Sequence, residues 1–294
     1  MPAGDEFPPV RQGRRPGAQR APHRRVPRLG PGPHRHPRGP RRALGGDPHF
    51  PSGQETDMAL ILVTGAASGL GRNTAKALAD DGHDVVVHVR NRARLTGTDD
   101  TDRFKGVVTG DLAELDAIRD VAGQAAEFGR FDAVIHNAGV MNRPEDATVN
   151  TVAPYVLTAL MEKPARLVYL SSSMHRTGST DLGRLTDGTA AYDDSKLWVT
   201  ALALAVASRW EGTSSHAVDP GWVPTRMGGR GAPDDLTAGH ETQAWLATHH
   251  DVTPRTGGYW YHRRTQTPHP AAQDETFQAR LLRALENHTG IPLG

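Results

Sequence analysis

The sequence predicts an α/β fold with one doubly wound, largely parallel sheet of about seven strands, preceded by a disordered tail. Two observations carry this. From Met58 onward, short apolar runs alternate with helical segments, the pattern of parallel strands covered on both faces. The first run, Leu60 to Val63, opens directly into Thr64-Gly65-Ala66-Ala67-Ser68-Gly69-Leu70-Gly71, a glycine turn feeding a helix.

The elements follow in order. After the turn a helix spans about Gly71 to Asp80 and stops at Asp81-Gly82, and Val85 to Val89 is the second strand. Gly106 to Val108 is a third strand, leading through Gly110-Asp111-Leu112 into a helix over Leu115 to Phe128. Ala133 to His136 is the fourth strand, Thr148 to Met161 reads as helix despite Pro154, and Arg166 to Leu170 is the fifth strand, delivering Ser171-Ser172-Ser173 at its carboxyl end. Tyr192 to Trp210 is a long apolar helix, Ser215 to Val218 a sixth strand, Gly258 to Tyr261 a seventh, and Glu275 to Asn287 a closing helix. There is no internal repeat.

With 37% apolar and 23% charged residues over 294 positions, a sizeable core is expected. No stretch reaches the roughly 20 apolar residues of a membrane helix, and no apolar segment follows the basic amino terminus as in a secretory signal. A cytoplasmic protein is expected. Zero cysteines exclude disulfides, thiolate metal sites and cysteine nucleophiles. His23, His34, His36 and the pair His249-His250 have no partners at a metal-ligand spacing, so no metal site is expected.

Residues 1–57 hold eleven arginines against five acids, a charge of +6 that leaves −5 for the remainder. Dense in Pro and Gly and without apolar periodicity, they cannot bury enough surface to offset their ordering entropy. A nucleic-acid-binding arm is disfavoured by the lack of interleaved aromatics, and a transit peptide by the repeated prolines. Residues 1–57 thus read as a solvated extension and 58–294 as the folded domain. Met58, immediately before Ala-Leu-Ile-Leu-Val-Thr-Gly, is an alternative start of translation.

Three motifs carry chemistry. A glycine turn between strand and helix lets backbone approach a pyrophosphate and points a helix amino terminus at its charge. Tyr192 and Lys196 lie one turn apart on one helix face, where the ammonium is expected to lower the phenol's pKa. Between and beyond them come Asn137-Ala138-Gly139, the three serines and Asp219-Pro220-Gly221.

In this order the motifs resemble the short-chain dehydrogenase/reductase family, from Met58 to the carboxyl terminus. The resemblance implies a Rossmann fold and hydride transfer between a nicotinamide and an alcohol or carbonyl substrate. Thr64, Gly65, Ser68, Gly69, Leu70 and Gly71 match the phosphate turn; Asp111, with Leu112 beside it, matches the acid at the adenine. Asn137, Ala138 and Gly139 match the segment closing the cofactor pocket, and Pro220, Gly221, Val223 and Thr225 the one seating the carboxamide. Asn150, Ser172, Tyr192 and Lys196 match the catalytic tetrad, Ser172 being preferred to Ser171 and Ser173 as the second of the serine pair. In that scheme Ser172 is the hydrogen-bond donor and Tyr192 the general acid or base. Lys196 holds the nicotinamide ribose, and Asn150 anchors a proton-relaying water.

At the end of the second strand, Val89 stands where an NAD-preferring site offers an acid, and Arg90, with Arg72, favours NADP(H) over NAD(H). Asn150 lies only 13 positions after Asn137, a shortened connection. Met174 to Ala190 is a lengthened one, resembling retinol-dehydrogenase-like members and placed to wall the substrate pocket. Arg226 to Gly239 is expected to be a mobile lid, with Trp222 and Met227 lining the pocket or packing in the core. Two alternatives stay open: a non-catalytic NADP-binding sensor, disfavoured by the intact tetrad, and an epimerase or dehydratase, disfavoured by the glycine spacing. A homo-oligomer pairing through the helices that carry Asn150 and Tyr192 is also open.

Overall fold

The computed structural model describes residues 58–95 and 101–294, so the extension expected over 1–57 lies outside the described residues. Its centre is an eight-stranded sheet in the order β3-β2-β1-β4-β5-β6-β7-β8. The strands are β1 Leu60–Val63, β2 Asp84–Val89, β3 Gly106–Thr109, β4 Ala133–His136, β5 Arg166–Leu170, β6 Ser214–Asp219, β7 Tyr259–Tyr261 and β8 Arg264–Gln266. All neighbours run parallel except β7 and β8. The chain order reverses at β1, with β2 on one side and β4 on the other, which opens a crevice at the carboxyl ends of these strands.

Side chains alternate between two apolar layers with the period of two that a strand imposes. Ile61, Val63, Val85, Val87, Ile135 and Val168 pack against α1 (Gly69–Asp80) and α6 (Leu236–Thr248). Leu62, Val86, Val134 and Leu167 face the other layer. This is built from α2 (Leu115–Ala126), α3 (Ala153–Leu160), α5 (Tyr192–Arg209), the short α7 (Pro270–Gln273) and α8 (Glu275–Thr289). Of the 18 residues of α5, 14 are buried, so its polar Ser195, Lys196 and Thr200 must find partners inside the protein.

The structure adds to the sequence expectations and adjusts them. β8 is an eighth strand, antiparallel to β7, and α6 is a helix that the apolar pattern did not announce. The single helix expected over 148–161 is a π-turn, Thr148–Val152, continued by α3. Pro154 lies in the first turn of α3, where its missing N–H is tolerated, and it has none to give the Asn150 carbonyl one turn earlier. The expected lid ends early, because Asp235 caps α6 through Ala238 N (2.8 Å) and the last four lid residues are helical.

The long connection after β5 is folded onto the start of α5, with a 3-10 turn at Ser173–Thr177 and a short helix α4 (Gly183–Thr186). Its anchor is the buried Asp194, whose carboxylate accepts from Ser179 N (2.6 Å), Ala191 N (3.0 Å) and Arg184 (2.9 Å). Asp194→Ala leaves two backbone N–H groups without an acceptor, an expected loss of about 2–3 kcal/mol; the solvent-facing arginine adds little. Urea denaturation checks this, and a change below about 0.5 kcal/mol would exclude Asp194 as an anchor.

Candidate active site

The crevice at the carboxyl edge of β1, β2 and β4 is a cleft of about 610 Å³, within the size range of cofactor and ligand sites. Its floor is the turn after β1. Gly65 and Gly69 adopt φ of +68° and +60°, and Gly65 lies so close to the next loop that an added Cβ would sit 2.7 Å from Ala138 Cα. Thr64 Oγ1 accepts from Ala138 N (3.0 Å) and Asn137 Nδ2 donates to the Thr64 carbonyl (2.8 Å), zipping the turn to the loop after β4. The Ser68 side chain makes no cap bond to α1, so the helix amino terminus faces the cleft without a side-chain acceptor of its own.

At one end of the cleft Val89, Arg90, Asp111 and Leu112 form the wall. Arg90 Nη1 is 3.8 Å from Asp111 Oδ2, and both side chains are about half exposed (57% and 44%). Asp111 Oδ1 accepts from Ala113 N (3.1 Å), which holds the carboxylate at the rim.

At the other end stand Gly139, Tyr192 and Lys196. Lys196 is buried and its Nζ donates to the Leu170 carbonyl (2.8 Å). Burial pulls its pKa down to about 8, opposed by the nearby carboxylates of Asp146 and Asp219. The Tyr192 phenol is pushed up to about 12, chiefly by burial, while a hydrogen bond with Ser172 pulls the other way and Asp219 and Asp146 add to the rise. The expected lowering of the phenol by Lys196 is therefore not realised. The ammonium lies 5.4 Å from the ring centroid and is engaged by a backbone carbonyl.

Among the three serines, Ser171 is buried with its hydroxyl on Thr200 Oγ1 (2.6 Å), and Ser173 is exposed. Ser172 faces Tyr192. Asn150 is buried: Oδ1 accepts from Val140 N (2.9 Å), and Nδ2 donates to Val140 O (2.9 Å) and Ser195 Oγ (3.0 Å). Ser195 Oγ in turn donates to the Tyr192 carbonyl (2.6 Å). The Asn150 amide is thus a brace between the loop after Gly139 and the first turn of α5.

After β6, Pro220 and Thr225 line the cleft. Gly221 at φ +82° packs on Asp234, whose Oδ2 accepts from Trp222 N (2.6 Å). Val223 points away from the cleft, buried against Gly239, so any contact it makes there is through its backbone. Met227 lines the cleft, whereas Trp222 is 60% exposed and tied to the Gly228 carbonyl (2.8 Å). No residue between Met174 and Ala190 contributes to the lining, so that segment braces α5 rather than walling this cleft.

Several site residues carry no motif. Val140, Met141, Arg94 and Arg143 line the cleft. Asp146 is held by Asn142 N (3.0 Å) and Arg143 N (3.2 Å); Asp219, the first residue of the Asp219-Pro220-Gly221 motif, is held by Gly221 N (3.0 Å) and Tyr259 Oη (3.2 Å). Burial raises the pKa of both carboxyls. His175, fully buried, bonds through Nδ1 to the Ser172 carbonyl (2.7 Å) and through Nε2 to His269 N (2.9 Å), fixing the backbone that presents Ser172.

A glycine turn leading into a helix amino terminus at the switch point of a largely parallel sheet, with a Tyr-Lys pair at the far end of the cleft, is the arrangement expected of a nicotinamide-dependent oxidoreductase. A family model described as enoyl-(acyl carrier protein) reductase matches residues 65–258. The short-chain dehydrogenase chyC of Penicillium rubens is 36% identical over 256 residues, covering 80% of this chain and 99% of the relative. Retinol dehydrogenase 14 of Mus musculus is 29% identical over 311 residues, covering 87% and 91%. The crystal structure of an uncharacterized protein from Mycobacterium Paratuberculosis superposes with a TM-score of 0.68 at 23% identity, over 80% of this chain and 95% of that one. The chain belongs to the short-chain dehydrogenase/reductase family. It is an NAD(P)-dependent oxidoreductase of small-molecule substrates, and among the described residues no helix is long and apolar enough to cross a membrane.

Proposed function

We propose that this protein moves a hydride between NADP(H) and an alcohol or carbonyl substrate, with Tyr192 as general acid in reduction and general base in oxidation. The observation that carries this is the meeting of Ser172 and Lys196 on Tyr192 at one end of a cleft floored by the phosphate turn. A nicotinamide dinucleotide supplies the hydride when bound. Gly65 to Gly71 would hold its pyrophosphate, Asp111 and Leu112 its adenine, Gly139 and Lys196 its nicotinamide ribose, and Pro220 to Thr225 its carboxamide.

The chain's own residues supply the rest. Ser172 donates a hydrogen bond to the substrate oxygen as negative charge develops there, and Tyr192 Oη transfers its proton to that oxygen. Lys196 keeps positive charge beside the phenol, and Asn150, through Ser195, fixes the helix turn that aims Tyr192.

Preference for NADP(H) rests on Arg90 at the rim and on Val89, which offers no carboxylate to ribose hydroxyls. Thermal stabilisation by NADP(H) and by NAD(H) tests it, since at equal concentration a ligand specific to the folded state raises stability by an amount that grows with the logarithm of its affinity. NADP(H) should give the larger shift. Arg90→Ala should weaken NADP(H) by about tenfold and leave NAD(H) nearly unchanged, the effect of one charge-assisted phosphate contact. Equal shifts for both dinucleotides in the wild type would remove the preference.

A further inference from the structure

Strand β2 reads Val-Val-Val-His-Val from residue 85, and the one polar side chain in this buried run, His88, crosses the carboxyl edge of the sheet. Its Nδ1 accepts from Gly65 N (3.2 Å), in the phosphate turn that follows β1. Its Nε2 bonds to the Gly110 carbonyl (3.0 Å), immediately before Asp111 on the loop after β3. Its own carbonyl accepts from Ala66 N (3.0 Å).

These partners fix the chemistry of the ring. An Nδ1 that accepts a backbone N–H carries no proton, so the proton sits on Nε2 and is donated to Gly110. Burial keeps the ring neutral by lowering its pKa, against the pull of the Gly110 carbonyl and of Asp111, the charged group beside it. The turn is therefore held on two flanks, by Asn137 from β4 and by residue 88 from β2. Of these two side chains, His88 also reaches the loop that carries Asp111.

We infer that His88 is a positioning residue for the cofactor, bracing the phosphate turn and the Asp111 loop at the spacing a dinucleotide requires. The inference rests on the cofactor reading above. His88 touches no reacting atom. It acts through Gly65, whose amide it orients, and through Gly110, and it sets affinity rather than chemistry.

The test separates the two arms of the brace. His88→Leu removes both, whereas His88→Asn restores an acceptor near the Nδ1 position and hence the Gly65 arm. By NADPH fluorescence titration, H88L should bind at least about tenfold more weakly than wild type, and H88N should recover to within about threefold, as expected for one oriented hydrogen bond. H88L binding within about twofold of wild type, or H88N no better than a folded H88L, overturns the brace. The imidazole ¹⁵N spectrum of the wild-type protein gives a reading that needs no variant: a proton on Nε2 is expected, and one on Nδ1 overturns the proposal. Wild-type protein that binds neither NADP(H) nor NAD(H) overturns the cofactor reading itself, an outcome distinct from failure of the brace alone.

Discussion

Tyr192→Phe should lower turnover by about 10²–10⁴-fold, the range of a lost general acid or base, while leaving NADP(H) affinity and melting temperature close to wild type. The substitution removes one oxygen. The ring stays packed at the head of α5, the Lys196 bond to the Leu170 carbonyl does not involve the phenol, and Asn150 reaches Tyr192 through its backbone carbonyl. Activity on a carbonyl panel, followed by NADPH absorbance, decides the matter. A variant retaining more than about a tenth of wild-type rate would mean that another group delivers the proton.

The same residue sets a pH dependence. With the phenol pushed up to about 12, its protonated form dominates throughout the working range, so the acid needed for reduction is always present. Oxidation needs the phenolate, a minor species, and its kcat/KM should rise with pH by up to about tenfold per unit. Lys196 acts with the opposite sign: its pKa is drawn down to about 8, so its charge is lost as pH rises past that value, and reduction should decline there. An oxidation rate that is flat between about pH 6 and about pH 9 would remove Tyr192 as the titrating base.

The parts of this molecule legible in its sequence are those whose residues announce their surroundings. β1 reads as Leu60–Val63 in both sequence and structure because a strand covered on both faces must be apolar throughout. α6 escaped because its buried face, Gly239, Thr242, Gln243, Leu246 and Ala247, has a single large apolar side chain, and Gln243 Nε2 is bonded to Thr74 on α1 (2.7 Å). β8 escaped because its three residues are exposed and lie there only by pairing with β7. The site divides in the same way. The turn at Gly65 to Gly71 and the Tyr192-Lys196 pair are local patterns, visible as spacing. His88 and Asp194 acquire a role from partners the chain brings together by folding: Gly65 is 23 positions from His88, and Ser179 is 15 from Asp194. The one clue His88 offered was a polar residue inside a valine run.

Gly71→Ala should abolish measurable binding of both NADP(H) and NAD(H) and lower the melting temperature. Its φ is not in the left-handed region, so the constraint is space rather than backbone preference. A Cβ at this position would collide with the Asn137 amide and stand 2.7 Å from the Gly65 carbonyl. Neither neighbour can retreat cheaply. Asn137 Nδ2 is the donor that ties Thr64 to the loop after β4, and Gly65 is already pressed against Ala138. Relieving the clash means breaking that bond or shifting the phosphate turn away from α1, and overpacking of this kind costs about 1–3 kcal/mol. The stability loss should therefore be moderate, yet a turn displaced by a few tenths of an ångström no longer presents its amides to a pyrophosphate. Calorimetric titration of a folded Gly71→Ala protein measures the second effect apart from the first. Wild-type affinity in that variant would show that the turn tolerates a methyl group and that its close contact with Asn137 has no bearing on the cofactor.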